Sequence, residues 1–197
     1  MTKVESCLNS IIARHESLRV TFPSVGGIAK QSVQQNVQAN VRILTAESAK
    51  DFSDILITEG QHHFDLSNGP LMRTALIKDH MGQYALALTI HHIISDGWSM
   101  KVLFEQFETL YIGNELPQLD TNDVQYADYC AWQQTRIDKG DYDQQLSFWR
   151  KQLDGDLTGF EVPTDFPRPL VQTYTGCRFE QTIPALLTGQ VREYASS

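Results

Sequence analysis

The chain has 197 residues, 41% hydrophobic and 20% charged, an ordinary globular composition with enough apolar residues to build a core. Its formal net charge is -8 and its pI about 5.1, which argues against a nucleic-acid or anionic-membrane partner, since both need a basic face. Cys7, Cys130 and Cys177 are far apart and fit neither a C-x-x-C pair nor a zinc spacing, so free thiols in a reducing cytoplasm are expected, with no metal.

Val4, Leu8, Ile11 and Ile12 recur at helical spacing and predict a helix over 2–16. "LRVTF" (18–22) is β-branched and aromatic and predicts a strand, ended by Pro23 and Gly26-Gly27. "KQSVQQNV" and "NVRILTA" are candidate strands, and Phe52, Ile55 and Leu56 place a helix within 47–61. "FDLSNGPL" (64–71) reads as a loop, because Asn68-Gly69-Pro70 cannot continue a helix. "LMRTALIKD" (71–79) and "QYALALTIHH" (83–92) read as a hairpin. The second of these strands has two apolar faces and is expected to be central and covered on both sides. Helices are predicted over 98–113, 126–137 and 143–155, and another begins after Pro184. "VPTDFPRPL" (162–170), with its three prolines, reads as an extended linker, and "TGCRFEQTI" (175–183) as a strand.

The chemistry concentrates in "LTIHHIISDGWSM", Leu88–Met100. Strand neighbours point to opposite faces, so Leu88, Ile90 and His92 share one side, and Ala87, Thr89 and His91 the other. The two histidines therefore cannot converge on one metal. One is expected to face a cavity and the other to pack or make a structural hydrogen bond. Asp96 sits beside Gly97 in a tight loop, where a carboxylate needs a partner. Arg14, Arg19 and Arg73 are the candidates, and an ion-pair role is expected rather than that of a base. Gly97 would permit a positive φ or a close backbone approach. The pair His62-His63 has no aspartate-glycine downstream and reads as a helix-end surface pair.

These residues carry a family resemblance. His91-His92-Ile93-Ile94-Ser95-Asp96-Gly97 reproduces HHxxxDG and is followed by Trp98-Ser99. "RHESLRVTF" (14–22) matches RHExLRTxF, departing at Val20, where threonine is usual. "FDLSNGPLMR" (64–73) matches FDLxxGPLxR, and "YADYCAWQQ" (126–134) matches YxDYAxWQ with Cys130 for alanine; "FWRKQLDG" and "VPTDFPRP" also fit. The chain thus resembles condensation domains of non-ribosomal peptide synthetases, in the chloramphenicol-acetyltransferase-like superfamily.

The resemblance implies an α/β fold of two similar lobes around a tunnel. It places the N-terminal lobe at 1–160, an inter-lobe linker at 161–174 and the beginning of a C-terminal lobe at 175–197. A family strand motif, S-x-A-Q-x-R, would precede residue 1, and the rest of the second lobe would follow residue 197, so activity of this stretch alone is not expected. The implied reaction is amide formation between aminoacyl or peptidyl thioesters on phosphopantetheine arms of carrier proteins, with no cofactor bound directly. His92 matches the catalytic histidine and Asp96 the structural aspartate paired with an arginine, Arg14 first and Arg73 second. Arg19 is a weaker candidate for that pairing. Gly97 matches the glycine that keeps the tunnel open. His91 and Trp98 flank the site, with backbone N–H groups around Gly97 and Trp98 as candidate oxyanion donors. Loss of Asp96 is expected to cost soluble protein. The implied partners are peptidyl carrier proteins, an adjacent adenylation domain and the second lobe. Two other functions compete: a non-catalytic piece that docks carrier proteins, and an acyltransferase of the same superfamily using coenzyme A thioesters.

Overall fold

In a computed structural model, the described residues are 2–120, 123–155, 159, 163–172 and 179–196. They form two compact units, Met1–Ser147 and Phe148–Ser197. The second holds the end of helix α5 (Asp143–Gln152) and helix α6 (Ala185–Ser196). The described part of the expected linker, 163–172, has no helix or strand. The expected strand at 175–183 falls partly outside the described residues, and 179–183 are irregular.

The first unit opens with α1 (Lys3–Arg14). Thr2 accepts from the Glu5 N–H while the Glu5 carboxylate accepts from the Thr2 N–H, a capping box that satisfies two otherwise orphaned donors. Cys7, Leu8, Ile11 and Ile12 form its buried stripe. The predicted strand at 18–22 is mostly absent. Glu16–Arg19 wind into a 3-10 turn, and only Val20–Thr21 (β1) extend, pairing antiparallel with Ser32–Val33 (β4). Arg19 explains the difference: its guanidinium donates to the carbonyls of Ile12 and Ala13, pulling the chain back onto the end of α1. Between β1 and β4 lies the small hairpin of β2 (Ser24–Val25) and β3 (Ile28–Ala29).

The main sheet has the order β5-β6-β7: β5 (Val41–Thr45) runs parallel to β6 (Met72–Lys78), and β6 runs antiparallel to β7 (Tyr84–Ile90). The hairpin turn is held by Asp79, whose Oδ1 accepts from the Met81 and Gln83 N–H groups. The expected central strand, β7, is an outer strand among the described residues, and β6 is the central one. Helices on both faces are enough to make a strand's two faces apolar, so two-sided burial did not require a strand on both edges. On one face Met72 joins Ile11, Ile12, Leu18 and Leu103, with Leu88, Ile90 and Ile94 packed against them. On the other, Ala46, Ala75 and Ile77 meet Phe52 and Ile55 of α2 (Ala49–Gly60).

Glu59, in the last turn of α2, is 7% exposed. Its carboxylate accepts from both terminal nitrogens of Arg42 on β5, and Arg73 Nη2 on β6 lies 3.7 Å away. The Glu59 carbonyl accepts from Thr89 Oγ1 on β7. One residue thus ties α2 to all three strands. The Arg42 hydrogen bonds hold the Glu59 carboxyl below the ordinary range, against the opposing pull of burial. A carboxyl depressed in the folded state contributes stability above its unfolded pKa, about 4.3 for glutamate, and that contribution is lost as pH falls through the folded value. Glu59→Gln should lower the unfolding free energy by about 1–3 kcal/mol at pH 7, because it removes the counter-charge of Arg42 and Arg73 and one of the two oxygens that Arg42 donates to. In urea titrations the gap to the parent protein should close as pH falls below the carboxylate range.

Candidate active site

The last rung of the β6–β7 ladder is the His91 N–H donating to the Leu71 carbonyl at 2.9 Å. Beyond it the chain leaves the sheet and turns into α3 (Gly97–Tyr111). The strand alternation holds through the exit. His91 lies toward Phe64, edge to face with ring centroids 6.0 Å apart. Its Nδ1 accepts from the Ile93 N–H at 3.0 Å. His92 lines a cavity of about 380 Å³ on the opposite side, with Ser17, Val20, Phe22, Gln31, Ile93, Ile94, Ser95, Asp96, Ser99 and Tyr126. Among the described residues, no group of three His, Cys, Asp or Glu converges as metal ligands would.

The cavity walls come from distant segments held by specific bonds. Phe22 N–H donates to the Leu66 carbonyl, joining the β1 end to the 64–71 loop. Asp65 closes that loop by accepting from Ser67 and Asn68. Gly69 must stay small there: its φ is +63°, and an added Cβ would lie 3.0 Å from Thr21 Cγ2. Gln125 fixes the opposite wall. Its Oε1 accepts from the Glu16 N–H and its Nε2 donates to the Arg14 carbonyl, so the start of α4 (Tyr126–Asp138) is pinned beside the end of α1.

Asp96 overturns one expectation. It is the N-cap of α3: its Oδ1 accepts from the Ser99 N–H at 2.8 Å and from Ser99 Oγ at 2.7 Å, while Ser99 Oγ accepts from the Asp96 N–H. These bonds to Ser99 hold its pKa below the usual carboxylate range. None of the three candidate arginines reaches it among the described residues. Arg14 donates to the Pro117 carbonyl, Arg19 to Ile12, Ala13 and Gln34 carbonyls, and Arg73 sits between Glu59 and His62. A helix N-terminus is already positive, so the carboxylate finds its compensation in the backbone and needs no cation.

Gly97 is also corrected in part. It begins α3 without a positive φ, and a Cβ there would meet nothing within 4 Å among the described residues, so neither backbone strain nor a close approach by them explains it. Trp98 is 72% exposed with Lys101 over its ring. Tyr126 is a cavity residue that sequence reasoning does not single out. The neighbouring Cys130 raises its pKa. Its only sequence signal is its place at the head of "YADYCAWQ", which also reads as core. Ser17 and Gln31 carry no signal, because a polar residue in a turn is ordinary.

Comparison with known proteins identifies the family. The profile of the Condensation domain covers residues 1–197. The chain belongs to the condensation-domain family. It is 35% identical over 177 residues to tyrocidine synthase 3 of Brevibacillus parabrevis, an alignment covering 90% of this chain but 3% of that protein. The X-domain of teicoplanin biosynthesis, solved in complex with OxyB, is 29% identical with a TM-score of 0.74, covering 85% of this chain and 38% of that one. The epimerization domain from the third module of tyrocidine synthetase B has the same fold: 24% identity, TM-score 0.70, 84% of this chain and 39% of that one. The chain therefore spans a small part of the synthases it matches and under half of these two domains.

Because the Asp96 bonds are local and exposed, Asp96→Ala should give soluble, folded protein with a lower thermal midpoint, rather than the loss of soluble protein expected from a broken ion pair. Ser99→Ala should lower the midpoint in the same direction. The deficit of Asp96→Ala relative to the parent should be full above the aspartate range, about pH 3.9, and fade as pH falls through the depressed pKa of the folded state.

Proposed function

We propose that this chain is the histidine-bearing lobe of a condensation domain, which joins a carrier-bound aminoacyl or peptidyl thioester to the amine of a second carrier-bound aminoacyl group. The observation that carries this reading is His92, the second histidine of HHxxxDG, lining a cavity at the start of α3 while His91 is committed to Phe64 and Ile93. Family membership supports it.

In the reaction, the amine nitrogen bonds to the thioester carbonyl carbon and the carbon–sulfur bond breaks, releasing the thiol. An α-ammonium has a pKa of about 7.7–8.0, and an imidazole of about 6.5 can take or steer its proton near neutral pH. That first proton passes by way of the imidazole to solvent before attack, and the second, lost by the nitrogen as the amide forms, goes to the departing sulfur, so the imidazole returns to its starting state. Negative charge on the carbonyl oxygen builds up near the N-terminus of α3, where the first N–H groups have no partner within the helix and the dipole favours it. Gly97 leaves that approach free of a side chain. Asp96 and Ser99 fix where the helix begins.

The substrates would arrive on phosphopantetheine arms of carrier proteins, with an adenylation domain and a second lobe as neighbours, in the cytoplasm. No helix among the described residues is long and apolar enough to cross a membrane. Residues 1–160 would be one lobe, 161–174 the link and 175–197 the beginning of the next. A second reading, a piece that docks partners without turnover, draws on the X-domain relative solved in complex with OxyB. The two are separated by chemistry. His92→Ala, placed in a complete condensation domain, should reduce amide formation from carrier-bound thioesters by about 10²–10⁴-fold with the circular dichroism and urea midpoint unchanged. Condensation at the parent rate would remove His92 from the chemistry and favour docking.

A further inference from the structure

A second cavity, of about 170 Å³, adjoins the His92 cavity and shares Ser17, Ile94, Ser95 and Ser99 with it as walls. Its other walls are almost wholly apolar. Ile11 and Leu18 come from α1 and the turn after it, Ile90 from the end of β7, and Met100, Val102 and Leu103 from α3. No Asp, Glu, Lys or Arg lines it. His15 is its one titratable wall residue, and its Nε2 is within 2.8 Å of Gln106 Oε1 on α3. That bond ties the end of α1 to α3. The floor is firm, since Ile11, Leu18 and Leu103 are at most 7% exposed.

We infer that this slot is a side-chain subsite that takes an uncharged apolar side chain, aliphatic or phenyl-sized, of an amino-acid substrate whose reacting group lies at His92. The inference rests on the condensation reading for the reacting group, but the slot's preference is a property of its walls. Three features support it. The slot shares four walls with the cavity that His92 lines, with Trp98 at its rim, so a group held at His92 is a few ångströms from it through Ile94 and Ser95. Its size suits the ligand: an aliphatic-lined cavity of about 150 Å³ holds a benzene ring. Its walls select by charge, since an ammonium or carboxylate would lose its hydration there with no counter-ion to receive it. A methyl side chain would leave the slot part empty and forgo the apolar contact, and each missing methylene in such a pocket is worth about 10-fold or more in discrimination.

The test is binding without turnover. The chain is titrated with L-leucinamide, L-alaninamide and L-lysinamide while methyl resonances of Ile94, Val102 and Leu103 are followed by NMR. Leucinamide should move these signals with a Kd at least about 10-fold below the other two amides. Val102→Phe, which fills the slot, should weaken leucinamide at least about 10-fold and leave alaninamide unchanged. Val102→Ala, which widens it, should instead improve L-phenylalaninamide relative to leucinamide and guards against a filled variant that does not fold. Equal affinity for the three amides, or shifts confined to residues outside the slot, overturns the inference. The condensation reading stands or falls on product formation with His92→Ala, so either idea can fail while the other holds.

Discussion

The pairing of β7 with β6 governs the site. Met72 lies opposite Ile90, and the Leu71 carbonyl takes the His91 N–H one step further. That last rung sets the residue at which the chain departs from the sheet. Because side chains alternate, a slip of one residue would exchange the two histidines, sending His91 into the cavity and His92 against Phe64. The register is guarded by the cores on either face. Leu88 and Ile90 belong with α1 and α3, and Ala87 with α2. A slipped β7 would turn each set toward the wrong helices.

The charged residues serve this frame more than the cavity. Glu59 gathers Arg42 and Arg73 and holds α2 across the sheet. Arg19 and Arg14 direct their guanidinium groups to backbone carbonyls that helix and turn leave open. What remains near His92 is mostly neutral: Ser17, Gln31, Ser95, Ser99 and Tyr126, with Asp96 already satisfied by the start of α3. Neutral hydroxyl and amide groups therefore dominate this cavity. The apolar slot beside it extends the same character.

Much of the local structure was legible in the residues. The helices showed themselves through the spacing of their apolar residues, as with Leu8, Ile11 and Ile12 in α1 and Phe52 and Ile55 in α2. The hairpin followed from two apolar runs around Asp79–Gly82. The short strands were harder to read. "LRVTF" has strand propensity, but Arg19 finds better acceptors at the end of α1 than an extended chain would offer. Strand centrality also misled, because burial of both faces says which layers cover a strand and not which strands flank it.

From the sequence alone came the family, the α/β alternation, and the divergence of His91 from His92, since these depend on motif order and on the period of two along a strand. Only the tertiary structure decided what Asp96 binds, where the arginines point, and which remote side chains close around His92. Those outcomes turn on competition among acceptors brought together from positions far apart in the chain, such as Gln125 on Arg14 and Leu66 on Phe22. No local pattern encodes that competition, because each partner is a common residue whose significance appears only when the fold puts it within about 3 Å of another.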